Sequence, residues 1–117
     1  MISGIYSALS GLTAIQKKID SNANNVANVN TDGYKATQVT LTGEAPQGIQ
    51  AVVRQDQTPG PMVYEQTSAG QTLIEKSNVD LGQELPNMML SRRFFEANVK
   101  TLQVQNEVLG SLLDIKS

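Results

Sequence analysis

At 117 residues the chain has room for one domain, or for a helical stem with a small appendage. Apolar residues are 39% of it and aromatics 4%, so a large core is not expected and other subunits are expected to complete the burial. A net charge of −2 gives no footprint for nucleic acid or an acidic membrane, and the absence of cysteine and histidine excludes thiol nucleophiles, disulfides, histidine triads and the common zinc sites.

The start, MISGIYSALSGL, has no basic n-region and no unbroken apolar run, so a Sec-type signal peptide is not expected. No stretch approaches the roughly 20 apolar residues of a membrane span. The residues alone therefore read as cytoplasmic unless another export route is used.

Residues 3 to 28 are expected to form the first helix. Ile5, Leu12, Ile19 and Val26 occupy one column of a seven-residue grid, and Ile2, Leu9 and Ala23 occupy the column three residues earlier, with Gln16 interrupting it. That is the pattern of a helix laid along another helix. Gly4 and Gly11 each lower helix propensity by about 1 kcal/mol relative to alanine. With Ala8 and Ala14 they allow two readings: a poor helix, or a helix thinned for close approach of a neighbour. Isolated, this helix should be weak.

Asn22, Asn24, Asn25, Asn28 and Asn30 follow within nine residues. Asn28 and Asn30 can end and cap the helix. Asparagine is disfavoured in helix interiors, so Asn22, Asn24 and Asn25 suit a face whose amides bond to neighbouring subunits. Thr31-Asp32-Gly33-Tyr34 is a turn, Asp-Gly supplying the positive φ that redirects the chain. Short strands are expected over 36–41, 49–54, 62–65 and 72–75, separated by the loop at 43–48 and by Thr58-Pro59-Gly60-Pro61.

Ser77-Asn78-Val79-Asp80 resembles a capping box. Because Pro86 should kink or restart a helix, a short turn over 80–85 is expected, then a helix from Pro86 to Asp114 about 43 Å long. Leu81, Met88, Phe95, Leu102 and Leu109 form one seam column, and Leu85, Val99 and Leu113 the other. Arg92 and Asn106 interrupt the latter; a polar seam position can fix register, or Arg92 can snorkel from the edge. The fold class is mainly α: long N- and C-terminal helices pairing as a coiled coil around a small β or loop-rich middle. The segments are 1–35, 36–76 and 77–117.

Eleven carboxylates are spread singly, with no histidine or cysteine beside them. The loop GEAPQG lacks the lysine and hydroxyl residue of a phosphate cradle. Lys17-Lys18 and Arg92-Arg93 are isolated basic pairs suited to solvated faces. Neither catalysis nor a cofactor is expected.

SALSGL, then D-x-x-ANNVANVNTDGYKA over Asp20 to Ala36, resembles the N-terminal signature of bacterial flagellar rod and hook proteins. SNVDLGQEL and FFEANVKTLQVQNEVLGSLLDI, Phe94 to Ile115, resemble the C-terminal region of that family. The short middle, with GIQAVVRQDQTPGPMVYE over Gly48 to Glu65, looks most like the small proximal rod branch. The resemblance implies an axial subunit whose terminal helices pair as a coiled coil and stack helically around a channel in the periplasm-spanning rod. It also implies export through the flagellar type III apparatus without a cleaved signal. The implied partners are copies of itself in a homo-oligomer and other rod proteins, with no nucleic acid and no membrane insertion. The seam is expected at Ile5, Leu9, Leu12, Ile19, Val26, Leu85, Met88, Phe95, Val99, Leu102, Leu109 and Leu113. Subunit contacts are expected at the asparagines and at Asp32, Gly33 and Tyr34. A soluble coiled-coil adaptor or export regulator is the alternative class, and retention in the cytoplasm would distinguish it.

Overall fold

The computed structural model describes residues 2–116. Its elements are α1 at Ile2–Ala27, β1 at Thr37–Gly43, β2 at Ile49–Gln55, β3 at Met62–Thr67, β4 at Gly70–Glu75 and α2 at Leu81–Lys116. Met1 and Ser117, at the ends of the expected terminal segments, lie outside the described residues, as does the side chain of Ile2.

The two helices run antiparallel against each other. A Cβ at Gly4 would stand 2.6 Å from Gln105 Nε2, and one at Gly11 would stand 3.1 Å from Asn98 Nδ2. Toward the other end, Asn22 Nδ2 donates to Glu84 Oε2 at 2.6 Å. Positions therefore fall along α2 as they rise along α1. Close approach follows from the small residues Gly4, Ala8 and Gly11, since interaxial distance is set by the side chains at the contact. The protected positions of α2 are Glu84, Met88, Ser91, Phe95, Asn98, Leu102, Gln105 and Leu109, in alternating steps of four and three. On α1 the same steps run through Gly4, Ala8, Gly11, Ile15, Lys18, Asn22 and Asn25, none of them exposed.

The middle is two separate antiparallel hairpins, each strand close to its expected span. In the first, Thr37 pairs with Gln55 and Gly43 with Ile49. This hairpin lies on α1, where the Ile49 N–H donates to Ser10 Oγ at 3.1 Å. The second pairs Met62 with Glu75 and Thr67 with Gly70, whose φ of 107° ends the tight turn. Among the described residues, α2 packs on α1 and on no strand. Among the described residues the buried apolar side chains are Ala8, Ala14, Ile15 and Ala36, in a molecule 80 × 24 × 20 Å across.

One boundary differs from expectation. No turn precedes Pro86: α2 begins at Leu81 and carries Pro86 within it. Asp80 explains the early start. Its Oδ1 accepts from Gly82 N at 2.9 Å and its carbonyl accepts from Glu84 N at 2.9 Å, which is N-cap geometry. Ser77 does not cap the helix; its Oγ accepts from Val79 N at 3.1 Å. A proline one and a half turns into a helix removes one backbone bond, and the well-capped first turn tolerates it.

Candidate assembly surfaces

The asparagine-rich end of α1 is where the chain ties itself together. Asn25 is fully buried. Its Nδ2 donates to the Thr37 carbonyl at 2.7 Å, while its Oδ1 accepts from Thr37 N at 2.9 Å and from Tyr34 OH at 3.1 Å. The amide thus pairs with the first residue of β1 as a strand backbone would. Ser21 Oγ adds a bond to Thr37 Oγ1 at 2.6 Å. Asn28 ends the helix, donating from Nδ2 to the Asn24 carbonyl at 2.8 Å and accepting from Thr31 Oγ1 at 3.0 Å. Gly33, with φ of 71°, then turns the chain so that its N–H reaches the Glu75 carbonyl at 2.9 Å.

A second asparagine, which sequence reasoning did not single out, repeats the device. Asn78 Oδ1 accepts from Ala36 N at 2.6 Å, and its Nδ2 donates to the carbonyls of Asp56 and Thr58 at 2.9 and 2.8 Å. It lies inside SNVDLGQEL, so the stretch was visible even though the bonds were not. Nearby, Lys35 pairs with Glu75, whose Oε1 also accepts from Gly60 N at 3.0 Å. Together these hold the Glu75 carboxyl below the usual glutamate range, Lys35 contributing most. Lys76 pairs with Glu65 and with Asp32 at 2.9 Å, and those carboxylates raise its ammonium above the usual lysine value. Thr58, bonding through its side chain and through its N–H at 3.0 Å, lowers Asp56. Gly60 is needed because a Cβ there would stand 1.9 Å from the Lys76 carbonyl oxygen.

The residues expected to contact neighbouring subunits therefore divide. Asn22, Asn25, Asn28, Asp32, Gly33 and Tyr34 are engaged within the chain, while the side chains of Asn24 and Asn30 are exposed. The amide oxygen of Asn22 is buried without a hydrogen-bond partner.

The expected seam divides as well. Met88, Phe95, Leu102 and Leu109 are shielded along the helix pair, and Ile5, Leu12, Ile19 and Val26 are partly shielded on α1. Leu9, Leu85, Val99 and Leu113 are exposed within the single chain. Their places are taken on α1 by Ala8, Ile15 and Asn22 and on α2 by the polar Glu84, Ser91, Asn98 and Gln105. The glycines bring the helices so close that α2 presents short and amide-bearing residues there. Leu9 instead lines an open apolar groove with Tyr6, Ala14 and Ile49, between α1 and the first hairpin.

Exposed apolar side chains run along most of α2, from Leu81 to Ile115. Among the described residues no group of acidic side chains could hold a metal, and no helix is long and apolar enough to cross a membrane. The pairs Lys35–Glu75, Lys76–Glu65 and Lys76–Asp32 tie separate segments together, while Arg92 and Arg93 meet Glu96 within α2.

Known proteins are similar in the same regions. Residues 5–35 match the family described as "Flagella basal body rod protein". Residues 71–115 match "Flagellar basal body rod FlgEFG protein C-terminal". The flagellar basal-body rod protein FlgC of Salmonella typhimurium is 30% identical over 121 aligned residues, covering 91% of this chain and 90% of that protein. FlgG, the basal-body rod protein of Bacillus subtilis, is 43% identical over 49 residues, covering 42% of this chain and 19% of its own length. The flagellar hook protein FlgE of Escherichia coli is 37% identical over 43 residues, 37% of this chain. The chain spans 11% of the length of that hook protein.

Proposed function

The chain belongs to the flagellar basal-body rod family, and on that premise we propose that it is a structural subunit of the rod's proximal part, working by packing and not by catalysis. The family is a structural one, not a family of enzymes. In this reading α1 and α2 pair as a coiled coil, and copies of the chain stack with other rod proteins into a drive shaft crossing the periplasm. Export runs through the flagellar type III apparatus. Seam residues on both helices set the pair, and the exposed Leu9, Leu85, Val99 and Leu113, with Asn24 and Asn30, meet neighbouring subunits.

The observation that carries the reading is the likeness to FlgC across 91% of the chain, in a thin molecule whose long helix is left apolar along its exposed side. Three alanines and one isoleucine, the buried apolar side chains among the described residues, are too little to hold such a shape alone. Partners supply the rest.

The test is genetic and biochemical together. In the native bacterium, removing residues 81–116 is expected to leave hook-basal bodies without this chain and to abolish swimming. Normal swimming with intact basal bodies defeats the proposal. Full-length chain that stays in the cytoplasm while other rod proteins are exported would favour an adaptor instead.

A further inference from the structure

α2 carries a second stripe that α1 does not cover, apolar except for the hydroxyl residues Thr101 and Ser111. Leu90, Ala97, Val104 and Ser111 form one column, and Phe94, Thr101, Val108 and Ile115 form the next. The steps alternate four and three for the whole length, which is the spacing a second helix requires and a solvated face does not. Leu90, Phe94, Val104, Val108 and Ile115 are 43 to 81% exposed. Among the described residues no strand packs on α2, so the stripe is open along its length.

The charges beside the stripe identify the occupant. Its flank on the side away from α1 reads Arg93, Lys100, Glu107, Asp114, one residue per heptad: two cations followed by two anions. A sequence that changes sign at its midpoint is complementary to its own reverse. We infer that two copies of this chain pair through this stripe with their α2 helices antiparallel. In that register Phe94 lies against Ser111 of the second copy, Ala97 against Val108, and Thr101 against Val104. The flanks then bring Arg93 to Asp114 and Lys100 to Glu107, each pair occurring twice across the two-fold axis. Ile115, exposed at the end of α2 beyond the reach of α1, meets Leu90 of the other copy. A parallel pairing sets the same flank against Asn98, Gln105 and Leu112, where no charge is met. Arg93 already contacts Glu96 at 3.4 Å, but both side chains are more than half solvated or at its edge and the pair is weak.

This inference does not rest on the rod reading. Should both hold, the closed pair occupies a surface that an open-ended stack also needs, so the dimer is a form the chain leaves on assembly.

The test uses the full chain at low salt, and sedimentation equilibrium measures association. The wild type is expected to show a monomer–dimer equilibrium. R93E/K100E is expected to weaken it about tenfold or more, since four attractive contacts become repulsive. Adding E107K/D114K to that variant restores it. The chain has no cysteine, so engineered thiols report geometry directly. A97C mixed with V108C is expected to form a crosslinked heterodimer on mild oxidation, while A97C alone does not crosslink. Self-crosslinking of A97C alone, indifference to charge reversal, or a monomer at every concentration overturns the proposal. A circular dichroism spectrum like the wild type's for each variant separates lost pairing from lost folding.

Discussion

Replacing Asn25 tests how the two ends of the chain are joined. The side chain is fully buried and serves four groups: it donates to the Thr37 carbonyl and accepts from Thr37 N, Thr37 Oγ1 and Tyr34 OH. Asn25→Ala keeps the helix and raises its propensity by about 0.5 kcal/mol, but strands those partners. The Thr37 carbonyl retains Ser21 Oγ at 3.1 Å, and Tyr34 is partly exposed and can turn to water. The Thr37 N–H has no replacement. A buried donor left unmet costs about 1–3 kcal/mol, and the lost carbonyl and hydroxyl bonds add to that, for a net loss of about 2–4 kcal/mol. Asn24→Ala, one residue away with an exposed side chain, keeps the propensity gain and should be neutral or stabilising by about 0.5 kcal/mol. Urea unfolding followed by circular dichroism measures both, and amide exchange at Thr37 localises the effect. Equal midpoints for the two variants would refute the reasoning. Asn25→Asp sharpens it: its carboxylate faces the Thr37 carbonyl without a proton to donate. Protonation supplies one, so this variant should lose more stability at neutral pH than near pH 4.

Three further outcomes follow from the same geometry. Gly60→Ala places a methyl group in the Lys76 carbonyl, so the second hairpin should detach and exchange protection at Gly33 N should fall; a wild-type exchange pattern excludes the steric argument. Pro86→Ala returns a backbone donor to α2 and should raise helix content and stabilise by about 1–3 kcal/mol, read from the thermal midpoint, with no gain counting against it. Acid should loosen the junction: Glu75 is depressed, so its contribution is present above the ordinary glutamate range and lost as pH falls through its lowered value. Lys76 is raised, so its contribution is present below the ordinary lysine value and lost as pH rises through the raised one. Hydrogen–deuterium exchange at Gly33 across pH, corrected for intrinsic rates, should show protection greatest between those limits; a flat profile contradicts the assignment.

Residue pattern alone determined the two long helices, all four strands to within three residues at either end, the turn at Asp32-Gly33, and the family likeness at both termini. These are local properties: seven-residue spacing, β-branched runs and a glycine with positive φ act within a few residues of chain. Tertiary structure decided which way each helix faces. On α2 apolar residues occupy several columns, and nothing in their spacing says which one meets α1. The choice fell to close approach, because Gly4, Ala8 and Gly11 admit a column of Glu84, Ser91, Asn98 and Gln105 that a hydrophobic pattern passes over. The asparagines were decided in the same way. Their amides are equally fitted to bond outward to a neighbour or inward to the chain's own backbone, and only the return of β1 past the end of α1 turned Asn25 inward. The start of α2 went with the Asp80 cap instead of Pro86, since a proline disturbs one bond while a cap satisfies the donors at a helix end.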